Sequence, residues 1–283
     1  MKKRFLLAQA VALALFAGAP AALAADYEPT IIPADTGPVD EYKPVEIGTG
    51  WYIRGDIGYS ISTSGGADPY RTYFGGAYGS HAWDMARIDS DWSASIGFGY
   101  RFNDWLRTDF TADRFTGNFT GKTSDPFSCA GPADPTTGCA SNDSASFTAY
   151  SLMANAYVDL GTVVGITPYL GAGAGVTFMN WGDLTNSVYC VDGTATCASG
   201  AVTSVTHTGI NSARFTWALM AGASYDVTEN LKFDLGYRYR KVSAGGMFDF
   251  DSASQSAGAT GAQGRDKGLS SHEIRVGLRY ELW

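Results

Sequence analysis

The sequence predicts an all-β chain that forms an eight-stranded antiparallel up-and-down transmembrane β-barrel with four long extracellular loops. Segments in which apolar and polar residues alternate recur about eight times along the chain, and successive side chains of a strand point to opposite faces of the sheet. The apolar face is rich in aromatic residues, whereas the other face mixes charges with glycine. That combination is typical of a barrel with lipid outside and polar groups inside.

Eight segments carry this pattern, and each is long enough to cross a bilayer as a tilted strand. They span 50–61, 88–102, 106–114, 145–160, 166–180, 213–227, 231–242 and 272–282.

The first four predicted strands place aromatic and aliphatic residues on the lipid side. Their outward residues are Trp51, Ile53, Ile57, Tyr59 and Ile61; Trp92, Ile96, Phe98 and Tyr100; Leu106, Phe110 and Ala112; and Tyr150, Leu152, Ala154 and Val158. The last four strands repeat the pattern. Their outward residues are Leu170, Ala172, Val176 and Phe178; Phe215, Trp217, Leu219 and Tyr225; Phe233, Leu235, Tyr237 and Tyr239; and Ile274, Val276, Leu278, Tyr280 and Leu282.

The connections between these strands alternate in length. Short turns centre on Asn103, Thr162 and Thr228, and long polar segments occupy 62–87, 115–144, 181–212 and 243–271. Outer-membrane barrels show this asymmetry, with long loops outside the cell and short turns in the periplasm. The alternative, a soluble sandwich or lipocalin-like barrel, would bury the aromatic residues and expose the charges.

Residues 1–24 have the composition of a secretory signal peptide. The basic residues 2–4 precede an apolar run at 5–16, and Ala22-Leu23-Ala24 forms a cleavage site. We expect a proline-rich acidic leader in the periplasm at 25–49 and the barrel at 50–283. A membrane-anchoring helix is the alternative reading of the first segment, but no stop-transfer charges follow it.

The balance of charged residues indicates which kinds of partner the protein can bind. The chain has 20 Lys and Arg residues and 28 Asp and Glu residues, and removal of the signal leaves 17 basic residues and a net charge of −11. Nucleic-acid binding requires a basic surface, so the sequence argues against a nucleic-acid partner. Export and a barrel pattern together predict the outer membrane of a Gram-negative bacterium.

Four cysteines lie in two of the long connections, Cys129 with Cys139 and Cys190 with Cys197. An exported chain meets an oxidising compartment, so we expect two disulfides. Four cysteines allow three pairings. The pairing of Cys129 with Cys139 and of Cys190 with Cys197 is favoured because each of these two bridges closes a short loop.

Glycine-rich alternating segments resemble the opacity-type outer-membrane β-barrel family. They are Trp51-Tyr-Ile-Arg-Gly-Asp-Ile-Gly-Tyr59, Ile166-Thr-Pro-Tyr-Leu-Gly-Ala-Gly-Ala-Gly-Val176, Leu231-Lys-Phe-Asp-Leu-Gly-Tyr-Arg-Tyr-Arg240 and the strand at 272–282. The chain is most similar to the alpha-proteobacterial "porin family", or outer membrane immunogenic protein-like, members. The resemblance covers the strands and not the loops. It implies a non-enzymatic surface protein that contacts outer-membrane lipid, lipopolysaccharide and the barrel-assembly machinery. Some relatives bind haem or host surface components.

The predicted inward face carries equal numbers of opposite charges. The basic residues are Arg54, Arg101, Arg107, Lys232, Arg238, Arg240, Arg275 and Arg279, and the acidic residues are Asp56, Asp109, Asp113, Asp159, Asp226, Asp234, Glu273 and Glu281. An eight-stranded barrel is wide enough only for side chains, and unpaired buried charge is costly. We therefore predict a lumen charge network that plugs the barrel. The Arg54-Gly55-Asp56 tripeptide, which spells an integrin-binding motif, falls inside it.

Three other functions are weighed against a structural or adhesive role. A haem or small-ligand surface would use His81 with Tyr73 and Tyr78 in the first loop, where histidine or tyrosine is an axial ligand type. A narrow porin, which conducts ions, would need a barrel wider than one of eight strands. A lipid-modifying enzyme would need a histidine, serine and carboxylate on one face, but Glu273 points away from His272. We predict no enzyme activity, no cofactor and no metal site.

Overall fold

The computed structural model describes residues 50–128, 138–190 and 201–282, and this part of the chain is almost entirely β-structure. The predicted signal peptide, the leader and Trp283 lie outside the described residues. The strands are β1 (Trp51–Ala67), β2 (Tyr70–Phe74), β3 (Ala77–His81), β4 (Met85–Arg101), β5 (Leu106–Ser128), β6 (Gly138–Asp159), β7 (Ile166–Trp181), β8 (Leu184–Cys190), β9 (Ala201–His207), β10 (Asn211–Asp226), β11 (Leu231–Val242), β12 (Gly245–Asp249) and β13 (Ala262–Glu281). One short helix, α1 (Ser252–Ser256), precedes β13.

Eight of these strands pair in a closed antiparallel ring. The order is β1, β4, β5, β6, β7, β10, β11 and β13, and β13 then pairs with β1. The closing register places Tyr52 opposite Glu281 and Tyr59 opposite Ile274. A closed ladder leaves no free strand edge. These eight strands are the ones that alternation predicts.

The strand phases also agree with the alternation. Most residues predicted to face lipid are exposed on the outside of the ring, as Ile96 at 71% and Leu219 at 52% illustrate, and Tyr100, Leu106 and Tyr239 are half-buried. Their inward neighbours are buried, including Ser95 and Met220. Within the described residues no helix is long and apolar enough to cross a membrane.

Where the structure describes the predicted long loops, much of the chain lies in strands, which corrects the sequence prediction. β5 and β6 continue as one hairpin far past residue 115, β2 pairs with β3, and β8 pairs with both β6 and β9. Alternation persists here with inverted polarity: Phe115 and Phe119 are buried, whereas Asn118 and Thr120 are exposed. A strand that leaves the bilayer meets water on its outer face, so its apolar residues turn inward.

One end of the barrel carries the short turns and both ends of the described chain. The backbone N–H of Leu282 donates to the carbonyl of Trp51 at 3.0 Å. In the first turn the side-chain oxygen of Asn103 accepts from the N–H groups of Trp105 and Leu106 at 3.1 and 2.8 Å, as turn-forming asparagines do. The opposite end carries the long hairpins.

Candidate functional site

The lumen contains a network of ion pairs, which begins at Arg54. Because residues two apart in a strand share a face, Arg54 and Asp56 both point inward, and Arg54 Nη2 lies 2.6 Å from Asp56 Oδ1. Its Nη1 lies 2.9 Å from Asp109 Oδ2 and donates to the Tyr157 hydroxyl at 3.1 Å. Both charged residues of the tripeptide motif are therefore buried in the lumen.

A second cluster surrounds Arg238. Its Nη1 lies 2.6 Å from Asp113 Oδ1, and its Nη2 lies 2.7 Å from Glu273 Oε2. Glu273 also forms an ion pair with Arg240. Arg275 lies 3.8 Å from Asp113 on one side and 3.3 Å from Asp56 on the other, so it joins the two clusters into one network.

Arg107 continues the network toward the end with the short turns. Its Nε lies 3.1 Å from Asp159 Oδ1. Among the described residues its two terminal nitrogens have no hydrogen-bond partner, but the guanidinium lies 4.2 Å from the Tyr157 ring centroid and 4.8 Å from that of Tyr169. Cation–π contacts of this kind stabilise a desolvated arginine.

The remaining predicted lumen charges close this end. Arg279 Nε lies 3.5 Å from Asp234 Oδ2, Arg101 Nη2 lies 2.9 Å from Glu281 Oε2, and Lys232 Nζ lies 2.6 Å from Asp226 Oδ1. Each residue of the predicted charge network thus has an oppositely charged neighbour in the lumen.

One buried ion pair was missed by the sequence reasoning. Arg214 Nη1 lies 2.6 Å from Asp266 Oδ2. Arg214 is in phase with the inward residues Thr216 and Ala218, so alternation could have identified it. Asp266 falls in a predicted loop, where no pattern distinguished it.

An apolar layer fills the lumen toward the hairpin end, and it too was missed. Its aromatic rings pack in tilted and edge-to-face pairs, with centroids 4.9 Å apart for the tilted pair Phe147 and Trp181 and 5.5 Å apart for the edge-to-face pair Trp181 and Phe248. The buried members of this layer are Ala67, Ile88, Phe115, Phe119, Ala145, Phe147, Ala149, Met179, Trp181, Leu184, Val242, Met247, Phe248 and Leu269. Burial of aromatic rings in such pairs is strongly stabilising.

Little space remains in the charged layer. A cavity of about 10 Å³ lies there, lined among others by Arg54, Tyr157, Asp234 and Arg275. This volume is about that of one water-sized probe.

The residues predicted for haem binding do not converge. Tyr73 lies opposite Tyr78 in the β2–β3 hairpin, whereas His81 lies opposite Tyr70 at the other end of it. The Tyr73 hydroxyl donates to the Ala257 carbonyl at 3.2 Å, and the Tyr78 oxygen accepts from the backbone N–H of Thr260 at 3.0 Å. These tyrosines attach the hairpin to the segment after α1 rather than presenting free oxygens.

His272 and Glu273 lie on opposite faces of β13. Nδ1 of His272 is 2.5 Å from the Tyr237 hydroxyl, whereas Glu273 is buried in the lumen with Arg238. Ser271 donates to Glu273 at 3.0 Å, so it also points inward. The serine, histidine and carboxylate considered for lipid chemistry are therefore not brought together.

The structure describes the backbone of Cys139 and Cys190, but Cys129 and Cys197 lie outside the described residues, so the predicted pairing is not tested. The backbone register of β6 and β8 places Cys139 directly opposite Cys190. Both residues are in strands, where the sequence predicted loops.

A closed antiparallel ring with an apolar outer face and a charged interior defines a transmembrane β-barrel protein. Residues 10–281 match the model of the outer membrane protein beta-barrel domain. An uncharacterized protein of Brucella suis biovar 1 (strain 1330) is 38% identical over 265 residues, which is 87% of this chain and 89% of the relative. An uncharacterized protein of Brucella abortus (strain 2308) is similar to the same extent. The chain belongs to the outer membrane beta-barrel domain family, and its location is the Gram-negative outer membrane.

Two solved structures are also similar to this chain. Neisserial surface protein A is 20% identical with a TM-score of 0.42, and the match covers 83% of this chain and 98% of that one. The outer membrane protein OprG from Pseudomonas aeruginosa is 14% identical with a TM-score of 0.46, over 82% of this chain and 95% of that one.

Proposed function

We propose that this protein is a non-enzymatic, eight-stranded surface barrel of the opacity-type branch, with a structural or adhesive role and a lumen closed to ions. The observation that carries the proposal is the two-layered filling of the lumen. Paired charges occupy the half near the short turns, and aromatic rings occupy the half near the hairpins.

Both layers oppose conduction. A permeating ion would have to separate buried ion pairs such as Arg238 with Glu273, and breaking a buried pair is costly. It would then have to cross the apolar layer around Trp181, where no polar group replaces its hydration shell. A barrel of eight strands has no room for a separate aqueous path.

The outer surface supports insertion in a bilayer with the hairpins on the cell surface. Aromatic residues flank the apolar band at both ends, as at membrane interfaces. Tyr59 packs on Trp92 near one rim, and Trp51 packs on Tyr100 near the other. Outer-membrane lipid, lipopolysaccharide and the barrel-assembly machinery are then its envelope partners, and the hairpins are the surface that meets host components.

Planar-bilayer recording tests the closed lumen. Purified protein that shows heat-modifiable gel migration, and is therefore folded, is added to the bilayer. We expect no stepwise current. Reproducible steps from the folded protein that are absent from a boiled sample would refute the closed lumen.

A further inference from the structure

Asp143 is a buried carboxylate without a cationic partner. It is 1% exposed, and no Lys, Arg or His nitrogen of the described residues forms an ion pair with it. The other buried carboxylates of the described residues each have an arginine nitrogen at 3.5 Å or less. They are Asp56, Asp109, Asp113, Asp159, Asp234, Asp266, Glu273 and Glu281.

The immediate contacts of Asp143 are neutral. Its oxygens accept from Asn186 Nδ2 at 2.5 Å and from Ser141 Oγ at 3.1 Å. Burial raises the pKa of this carboxyl above its usual value, because desolvation penalises the charged form. Two of the undescribed segments, 129–137 and 191–200, follow or precede the strands that hold Asp143 and Asn186, and their sequences contain no Lys, Arg or His.

Asp143 lines a cavity of about 350 Å³ at the hairpin end of the barrel. Its wall includes the rings of Tyr70, Trp83 and Phe248 and the aliphatic side chains of Leu184 and Val188. No Lys or Arg is among the lining residues, whereas a second carboxylate, that of Asp251, is. Small-molecule sites have this size and this mainly apolar lining with a few polar groups.

Three buried polar atoms of residues that line the cavity lack hydrogen-bond partners within the described structure: Trp83 Nε1, Thr123 Oγ1 and His207 Nδ1. Thr123 is 5% exposed and His207 is 9% exposed. Burial lowers the pKa of His207, and its ring also hydrogen bonds to the Asp249 backbone. The neutral ring that donates to this carbonyl leaves Nδ1 as an acceptor. Unpartnered buried polar atoms are costly, and a ligand that supplies their partners would recover that cost.

We propose that this cavity binds a small organic ammonium ion, whose charged nitrogen pairs with Asp143 and whose apolar body packs against Tyr70, Trp83 and Phe248. Aromatic rings attract cations, and an ion pair with Asp143 would supply the missing counter-charge. An anionic ligand would meet two carboxylates, and a neutral apolar ligand would leave Asp143 unpaired. This site goes beyond the proposed function and does not depend on the closed lumen.

Isothermal titration of the folded full-length barrel in detergent tests the proposal with three probes of similar shape. They are 2-phenylethylammonium, neutral 2-phenylethanol and anionic 3-phenylpropionate, each with a detergent blank. We expect the ammonium ion to bind and the other two to bind at least about tenfold more weakly, as expected when one charge-assisted hydrogen bond is lost. Equal affinities for the ammonium ion and the alcohol would overturn the proposal. So would failure of both 2-phenylethylammonium and the smaller butylammonium to bind.

The variant Asp143→Asn keeps the shape and removes the charge, and Asp91→Asn at an exposed position is its matched control. We expect Asp143→Asn to weaken ammonium binding about tenfold or more, while Asp91→Asn binds like the wild type. Unchanged binding by a folded Asp143→Asn protein would contradict the assignment.

The pH dependence in the wild type is a second readout that needs no variant. The titratable groups facing the nitrogen are Asp143, His207, Asp251 and Tyr70. Protonation of Asp143 removes its charge and protonation of His207 adds one, so ammonium binding should weaken as the pH falls from about 7 toward 4. Burial acts to raise the pKa of Asp251, but hydrogen bonds from Ser254 and Ala253 hold it below its usual value. Asp251 therefore keeps its negative charge to a lower pH than Asp143 does. Binding that strengthens on acidification would exclude the proposed ion pair.

Discussion

The guanidinium of Arg240 lies 3.6 Å from the ring centroid of Phe115, and this contact joins the two layers that fill the barrel. Arg240 forms an ion pair with Glu273, whereas its Nε and Nη1 have no hydrogen-bond partner in the part of the chain that the structure describes. The ring face of Phe115 therefore takes the place of water beside the part of the guanidinium that Glu273 does not contact. A change from paired charges to aromatic packing within one lumen needs a residue that is compatible with both, and an arginine over a ring satisfies this requirement.

The Arg240–Phe115 contact gives the first prediction. Phe115→Leu keeps an apolar side chain but removes the ring, so we expect the free energy of unfolding to fall by about 2 kcal/mol, the value of a desolvated cation–π contact. Urea unfolding in lipid vesicles measures it. The control is Phe215→Leu on the exposed outer face, for which we expect a change within about 0.5 kcal/mol. Equal losses in both variants would show that the contact is not stabilising.

The phase of β10 gives the second prediction. Leu219 is 52% exposed on the outer face, and its neighbour Met220 is 7% exposed in the lumen. Leu219→Arg should reduce the folding yield in lipid vesicles, because a charge at the midplane of a barrel costs about 2–4 kcal/mol. Met220→Gln should be tolerated better, since the Tyr157 hydroxyl lies 3.4 Å from the sulfur and could bond to the amide. Similar yields for the two variants would mean that the phase is wrong.

Alternation predicted the membrane part of the fold because two different solvents impose it. Arg54 and Asp56 had to face inward once Ile53 and Ile57 faced lipid. Beyond the bilayer the outer face of a strand meets water instead of lipid. The apolar residues Phe115 and Phe119 therefore face inward, and the alternation of the membrane strands does not identify them. Asp143 and His207 line the same cavity because β6 pairs with β8 and β8 pairs with β9. No local pattern encodes this register, so the cavity could not be predicted from the sequence.

The buried imidazole of His207 gives a pH prediction. Burial lowers its pKa below 6.5 in the folded hairpins, and Asp251 and Asp143 only partly oppose this shift. The open state therefore binds more protons near pH 6, so hairpin stability should fall as the pH drops from about 7 to 5. Hydrogen exchange of β8 and β9 amides in the wild type should show this loss relative to His207→Gln at each pH. Identical pH trends would argue against a neutral buried histidine.

The four cysteines give a prediction about what the barrel requires. We expect the variant in which all four are replaced by serine to reach the membrane, because the closed strand ladder rather than a bridge holds the barrel together. The local pairs Cys129–Cys139 and Cys190–Cys197 remain the sequence prediction, each contributing at most about 2–4 kcal/mol to its own hairpin. Peptide mapping without reduction tests them. A peptide that joins Cys139 to Cys190 would instead agree with the backbone register of β6 and β8. Loss of assembly in the serine variant would show that a bridge is needed for folding.

That cysteine-free chain also allows the orientation of the barrel to be tested. Phe74 at the tip of the β2–β3 hairpin and Val164 in the turn between β6 and β7 are both 91% exposed, and they lie at opposite ends of the barrel. Replaced singly by cysteine, they form a pair matched in accessibility. With the hairpins on the cell surface, a membrane-impermeant maleimide should label Phe74→Cys in intact cells but should label Val164→Cys only after the outer membrane is permeabilised. Labelling of Val164→Cys alone in intact cells would reverse the orientation. It would also place the cavity beside Asp143 in the periplasm, where a ligand could reach it only after crossing the outer membrane by another route.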